Sequence, residues 1–214
     1  MTNAVATKRF RTVIVAGVAF FSGATGLIMA YQSLRFEMTP GKRAPIVSTW
    51  PSESNIARDP KKLSLIVFAH PYCSCTKATL AELAKVLNSA GAERPDVKVL
   101  FYRPDDSDWE PAELWQDAKS LPGSQVAWDS GGREAKLFGA TTSGSAFLFE
   151  SGGQLRFQGG ITGSRGHFGD NAGASELAAA MDLRRYRDRP RVREFFVFGC
   201  SLGGHANGIR GERR

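Results

Sequence analysis

No charged residue occurs between Thr12 and Leu34, and that silence constrains the chain more than any other feature. About 20 consecutive apolar residues cross the hydrocarbon core of a bilayer as one helix. The run TVIVAGVAFFSGATGLIMAY from Thr12 to Tyr31 is long enough to do so. A secretory signal has a shorter apolar region, about 7–15 residues, followed by a small-x-small cleavage site. No such site follows here, so residues 12–34 are expected to stay as an anchor behind a basic segment at 1–11. Lys8, Arg9 and Arg11 crowd the front of the span, while Arg35, Lys42 and Arg43 follow it loosely, with Glu37 among them. The counts are nearly balanced, and the dense cluster favours a cytoplasmic N-terminus. The expected location is therefore the cell inner membrane, single-pass, with the rest of the chain in the periplasm or at the cell exterior, where disulfides persist.

Residues 35–60 hold Pro40, Gly41, Pro45, Pro51 and Pro60 and show no helical period. They read as a linker. The pattern changes at Leu63. Leu63–Ala69 (LSLIVFA) is a nearly continuous apolar run, as a strand covered on both faces requires. Leu80, Leu83, Ala84 and Leu87 then follow helical spacing. Val97–Tyr102 reads as a second strand. Pro111 opens a helix carrying Leu114, Trp115 and Ala118, which Pro122 and Gly123 end. Gln125–Trp128 is a short strand, and Arg133–Phe138 a short helix stopped by Gly139. Ala146–Phe149 and Gln154–Phe157 form a hairpin through Glu150-Ser151-Gly152-Gly153. A last helix is expected from Ala172 to Tyr186. The order predicts an α/β domain over residues 61–205, one mixed central sheet flanked by helices, with a basic tail at 206–214. Working residues belong at the carboxyl ends of its strands.

The cysteines sit at such a place. His70-Pro71-Tyr72-Cys73-Ser74-Cys75-Thr76 follows the first strand and opens the next helix. The positive end of a helix stabilises a thiolate, the reactive form. Cys73 is the expected nucleophile. One residue separates it from Cys75, so a bridge between them closes a strained ring. A strained bridge makes an oxidising or isomerising couple. Cys200, in Phe198-Gly199-Cys200, reads either as the thiol that resolves a bond to Cys73 or Cys75, or as a buried apolar-like residue. His70, three residues before Cys73, reads as a group that raises thiolate content when protonated, as a metal ligand, or as a ring capping the strand. The Gly-rich stretch 159–171 matches no phosphate-binding loop. In it, Asp170 and Asn171 cap the last helix, Arg165 is placed to hold an anion, and His167 has no simple structural role. The loop is expected to fold over the cysteines.

From about Lys61 to Arg187 the chain resembles the thioredoxin-like superfamily, including its membrane-tethered extracytoplasmic members. There too the active-site cysteines follow the first central strand and open a helix, and Phe149-Glu150-Ser151-Gly152 matches the turn of the closing hairpin. The set His70-Pro71-x-Cys73-x-Cys75-Thr76, Ser164-Arg165-Gly166-His167-x-Gly169-Asp170-Asn171 and Phe198-Gly199-Cys200 is similar to bacterial RedB-like proteins. Two departures stand out. The family pattern is Cys-x-x-Cys, which puts Cys73 on the attacking cysteine and Thr76 on the second. The family's cis-proline position falls in Thr142-Ser143-Gly144-Ser145, which has no proline. The resemblance implies Thr76 and Ser145 at the binding face.

The net charge of +7 gathers at Lys8, Arg9 and Arg11, at Arg184, Arg185, Arg187, Arg189, Arg191 and Arg193, and at Arg210, Arg213 and Arg214. No nucleic-acid motif accompanies it. It reads as solvated surface or contact with anionic lipid. Three functions are carried forward: thiol–disulfide exchange centred on the Cys73/Cys75 motif, in which Cys73 attacks and Cys75 or Cys200 resolves, with protein thiols or disulfides and a redox partner and needing no cofactor; copper binding or delivery through cysteine and histidine; and peroxide reduction by Cys73, with Cys73-x-x-Thr76 as its cue.

Overall fold

The computed structural model describes residues 2–43, 45–91, 94–105, 107–110, 113–182, 186 and 194–203. Pro111, the arginines at 184–193 and the basic tail at 206–214 lie outside the described residues. The chain divides into two compact units, one ending at Met38 and one beginning at Thr39.

The first unit is helix α1, Thr2–Glu37. Its stretch Arg11–Glu37 has a mean hydropathy of 2.1 and is long and apolar enough to cross a membrane. Apolar side chains point outward all round it, among them Val13, Ile14, Val15 and Leu27, as a helix solvated by lipid requires. At 1.5 Å per residue, those 27 residues extend about 40 Å.

The second unit is built on β1, Ser64–Ala69, whose six residues are all buried. Helix α2 (Ser74–Ser89) follows it, then β2 (Asp96–Arg103), α3 (Glu113–Lys119), β3 (Ser124–Ser130), α4 (Arg133–Leu137), the hairpin β4 (Ser145–Phe149) and β5 (Leu155–Gly159), helix α5 (Ala172–Met181), and the two-residue β6 (Glu194–Phe195). The sheet order is β3-β2-β1-β4-β5-β6. β1 runs parallel to β2 and antiparallel to β4. This is the thioredoxin-like arrangement that the sequence resemblance implies.

Side chains alternate across a strand, so β1 feeds two cores. Leu65, Val67 and Ala69 pack with Leu80, Leu83 and Leu87 of α2 and Leu177 of α5. Ile66 and Phe68 pack on the other face with Phe138, Phe147 and Phe149. Residues 39–60, expected as a linker, supply part of that second cover. Trp50 sits edge-on to Phe138 and Phe149, both at 5.2 Å. The Trp50 N–H donates to Gly153 O (2.8 Å), and the Leu155 N–H to Ser48 O (3.0 Å). Buried Glu134 accepts from Ser54 Oγ (2.6 Å) and the Asn55 N–H (3.1 Å). The segment lacks a helical period because it is an extended strap held by its backbone.

Several boundaries differ from the sequence reading. Helix α1 continues to Glu37, three residues past the uncharged run, α5 ends at Met181 with Asp182 extended and Tyr186 helical again, and the short β6 is not among the expected strands. Asn171 caps α5 as expected, its side chain accepting from the Ala174 N–H at 2.8 Å.

Trp50 tests whether the strap belongs to the domain. We expect Trp50→Ala to destabilise the domain by about 3 kcal/mol, the low end of the range of roughly 3–5 kcal/mol for removing a large aromatic from a core, because Trp50 is partly buried. Urea denaturation followed by circular dichroism measures it; an unchanged midpoint would mean the strap contributes no packing.

Candidate functional site

Cys73 is the N-cap of α2, in extended conformation (φ −99°, ψ 116°). Its neighbourhood begins at the end of β1, where a closed cycle of hydrogen bonds fixes the turn. The His70 N–H donates to Ser143 Oγ (2.9 Å), the Ser143 hydroxyl pairs with Thr76 Oγ1 (2.8 Å), and Thr76 Oγ1 donates to His70 O (3.1 Å). Two buried hydroxyls and the end of a central strand are thereby satisfied together. Ser143 lies in the stretch where the family carries its proline, and its hydroxyl fastens that loop to the cysteine turn. Gly144 adds an N–H bond to Phe68 O at 2.7 Å.

The sulfur that meets Cys73 is that of Cys200. The two Sγ atoms stand 2.7 Å apart across 127 residues of sequence, and all three cysteines are free thiols. Backbone contacts on both sides seat Cys200. The Ser143 N–H donates to Cys200 O (2.8 Å), the Leu202 N–H to Thr141 O (2.9 Å), and Thr142 pairs antiparallel with Ser201. Arg165 Nη1 donates to Gly199 O at 2.6 Å, and its Nε to Thr39 O at 3.1 Å. Gly199 is required by space, since a Cβ there would stand 2.0 Å from Ser143 O.

By geometry either sulfur can carry the shared proton, and the surroundings decide it. A hydrogen bond from the Cys200 thiol is the largest influence on Cys73, and backbone N–H groups of Cys200, Cys75 and Thr76 add to it. Against the opposing cost of burial, they bring Cys73 from 9.0 down to about 5. Cys200 is pushed far up, because its proton serves that hydrogen bond and because burial and the neighbouring sulfur charges oppose ionisation. Cys75 is pushed up by burial and then by the charge on Cys73, with Arg165 and the Gly166 N–H pulling the other way. These directions favour ionisation at Cys73 over Cys200 in the reduced pair.

The remaining candidates fall as follows. Cys73 and Cys75 are only 1% and 6% exposed, whereas Cys200 is exposed. Burial pushes His70 below its ordinary value, although the Cys73 charge pulls it up. Its Nδ1 accepts from the Tyr72 N–H (3.3 Å), and its ring lies among Tyr72, Tyr102 and Trp109 at 6.2, 6.1 and 5.5 Å. Burial therefore favours the neutral ring rather than the cation proposed to support the thiolate. Ser145 is buried and its hydroxyl closes its own turn on Thr142 O at 2.7 Å. Arg165, read as an anion holder, donates to the carbonyls of Gly199 and Thr39, and its charge favours the ionised forms of Cys75 and Cys200. The loop from Gly163 to Asn171 does lie over α2, through Gly166 beside Cys75 and a Gly169 N–H bond to Glu82 Oε1 of 2.8 Å. His167 is exposed on that loop. Among the described residues no group of three or more His, Cys, Asp or Glu is placed to hold a metal ion. Sequence reasoning marked the stretches holding Ser143 and Gly199 but not their contacts, and it missed the aromatic cluster around His70, because these contacts join segments distant in the chain.

No protein-family model matches the sequence, and no curated protein matches it. Among solved structures the chain is similar to an uncharacterized conserved protein from Geobacillus kaustophilus, at 18% identity and a TM-score of 0.56 over 80% of this chain and 95% of that one. It is also similar to a hypothetical protein from Sinorhizobium meliloti, at 20% identity and a TM-score of 0.54 over 79% of this chain and 96% of that one. Both likenesses show the fold. A secreted disulfide oxidoreductase from Mycobacterium tuberculosis matches at 11% identity and a TM-score of 0.38, over 56% of this chain and 80% of that one, too distant to bear on chemistry.

The thiolate assignment predicts a titration. In the reduced Cys75→Ser chain, ultraviolet thiolate absorbance should rise with pH through about 5. Adding Cys200→Ala removes the largest stabilising contact and should move that midpoint up by about one pH unit or more. The same midpoint in both variants would show that Cys200 does not act on Cys73.

Proposed function

We propose that this chain is a membrane-anchored thiol–disulfide oxidoreductase whose working couple is Cys73 with Cys200, acting outside the cytoplasm. The observation that carries this reading is the 2.7 Å approach of the two sulfurs at the amino end of α2. Cys73 and Cys75 carry the local motif, but the contacts favour Cys200 as the partner. Closing the couple to a disulfide takes two electrons and the shared proton from the pair.

The direction follows from the reduced state. A couple whose reduced form is stabilised is a strong oxidant, and a thiol of low pKa leaves fast in exchange. The N–H groups around Cys73 and the proton on Cys200 stabilise that form. The couple therefore oxidises substrate dithiols and is reoxidised by a disulfide partner of higher potential. The basic cluster before α1 and the persistence of disulfides outside the cytoplasm support an inner-membrane anchor with the domain facing the periplasm or cell exterior. The narrower likeness to RedB-like proteins rests on the three quoted motifs. Their last member, Phe198-Gly199-Cys200, is the segment that seats Cys200.

Oxidised full-length chain mixed with a dithiol peptide should convert it to the disulfide stoichiometrically. Cys73→Ser and Cys200→Ser should each lower the rate by about 100-fold or more, whereas Cys75→Ser retains most of it. The couple's midpoint should lie near −200 mV or higher, on the oxidising side of roughly −270 mV for a reducing dithiol. Loss of oxidation in Cys75→Ser with retention in Cys200→Ser would refute the assigned couple.

A further inference from the structure

We propose that Cys200, rather than Cys73, is the cysteine to which the substrate's sulfur bonds. The proposal rests on the oxidoreductase reading above and assigns the order of events within it. In the superfamily that the fold resembles, the cysteine at the helix start is the attacking residue. Here access reverses that arrangement.

Cys73 is 1% exposed. Beneath it lies the first turn of α2, and beside it the bonded cycle of His70, Thr76 and Ser143 closes the turn. Cys200 is exposed and touches Cys73. Thiolate attack on a disulfide proceeds along the S–S axis, on the far side of the sulfur that leaves, and it depends on access to the sulfur attacked. With the couple closed, reaching Cys73 means approaching through packed protein. Reaching Cys200 means approaching from outside. The leaving position is prepared in the same direction, because Cys73 is the N-cap of α2, where the positive helix end stabilises a departing thiolate. The segment itself is fixed by Arg165 on Gly199 O and by the Ser143 N–H on Cys200 O, so Cys200 is held in place to receive a substrate sulfur.

The step balances as follows. A substrate thiolate bonds to Cys200 Sγ, the Cys200–Cys73 bond breaks, and its electron pair leaves with Cys73 as the thiolate. A second thiolate of the same substrate then attacks the first substrate sulfur. The substrate disulfide forms, and Cys200 departs as a thiolate that takes up a proton. The substrate dithiol loses two electrons, which the cysteine pair gains. The substrate class is a dithiol on an accessible or unfolded protein segment, since the receiving residue is exposed whereas Cys73 is buried.

Two arms test this on the full-length chain, with reduced and oxidised glutathione as the probes. Oxidised Cys75→Ser protein is mixed with reduced glutathione, quenched in acid and mapped by mass spectrometry. Glutathione is expected on Cys200, and glutathione on Cys73 would overturn the inference. In the second arm, single-thiol variants react with oxidised glutathione. The chain carrying Cys73→Ser and Cys75→Ser should be modified about tenfold faster, or more, than the chain carrying Cys200→Ser and Cys75→Ser. Equal or reversed rates overturn the inference. If the oxidised chain retains its Cys73–Cys200 bond in these cases, the oxidoreductase reading stands without it. If that bond never forms and neither variant is modified, both fall together.

Discussion

A single sulfur-to-sulfur contact organises this site. Cys73 alone, at the start of a helix, has a partial positive charge and a few N–H groups to hold its ionised form, set against the cost of burial. Cys200 adds a donor that water cannot supply to a buried atom. The two thiols share one proton, and the asymmetry of their surroundings places it. Cys73 is buried at the helix terminus, and Cys200 is an exposed residue of the C-terminal segment. Nucleophile, leaving group and accessible sulfur thus become distinct properties of two residues that are chemically identical in isolation.

The sheet exists, for this purpose, to bring distant segments to one point. β1 is buried on every residue and ends at Ala69, next to His70. The loop before β4 crosses that end and is fastened to it by Ser143. The same loop pairs with residues 200–202 on its other side. Turn, loop and C-terminal segment are therefore three layers joined by backbone hydrogen bonds, with the sulfurs meeting between the first and the third. Where thioredoxins use a proline in that loop, this chain uses a serine hydroxyl, and the outer layer is its own backbone. The strap carrying Trp50 closes the opposite face, where a longer helix would otherwise be needed to cover Phe138 and Phe149.

Much of the architecture was legible because it is local. The run from Leu63 to Ala69 announces a doubly covered strand, the spacing of Leu80, Leu83 and Leu87 announces the helix beneath it, and the turn at Glu150–Gly153 announces the hairpin. The cysteine turn was legible for the same reason, since a strand followed at once by a helix fixes where Cys73 must lie. What stayed hidden depends on long loops closing. Residues 39–60 show turn-formers and no period, which describes a solvated linker and a backbone-bonded strap equally well. The partner of Cys73 could not be chosen by spacing, because Cys75 is adjacent in sequence while Cys200 arrives from 127 residues away. The contacts of Arg165 with the carbonyls of Gly199 and Thr39 were hidden for the same reason, since they lie 34 and 126 residues away in the chain.

The most direct test of this account is to map the disulfide of the air-oxidised full-length chain by proteolysis and mass spectrometry without reduction. The account predicts one bond, joining the peptide containing Cys73 to the peptide containing Cys200, with Cys75 recovered as a free thiol. A bond between Cys73 and Cys75, with Cys200 free, would contradict it.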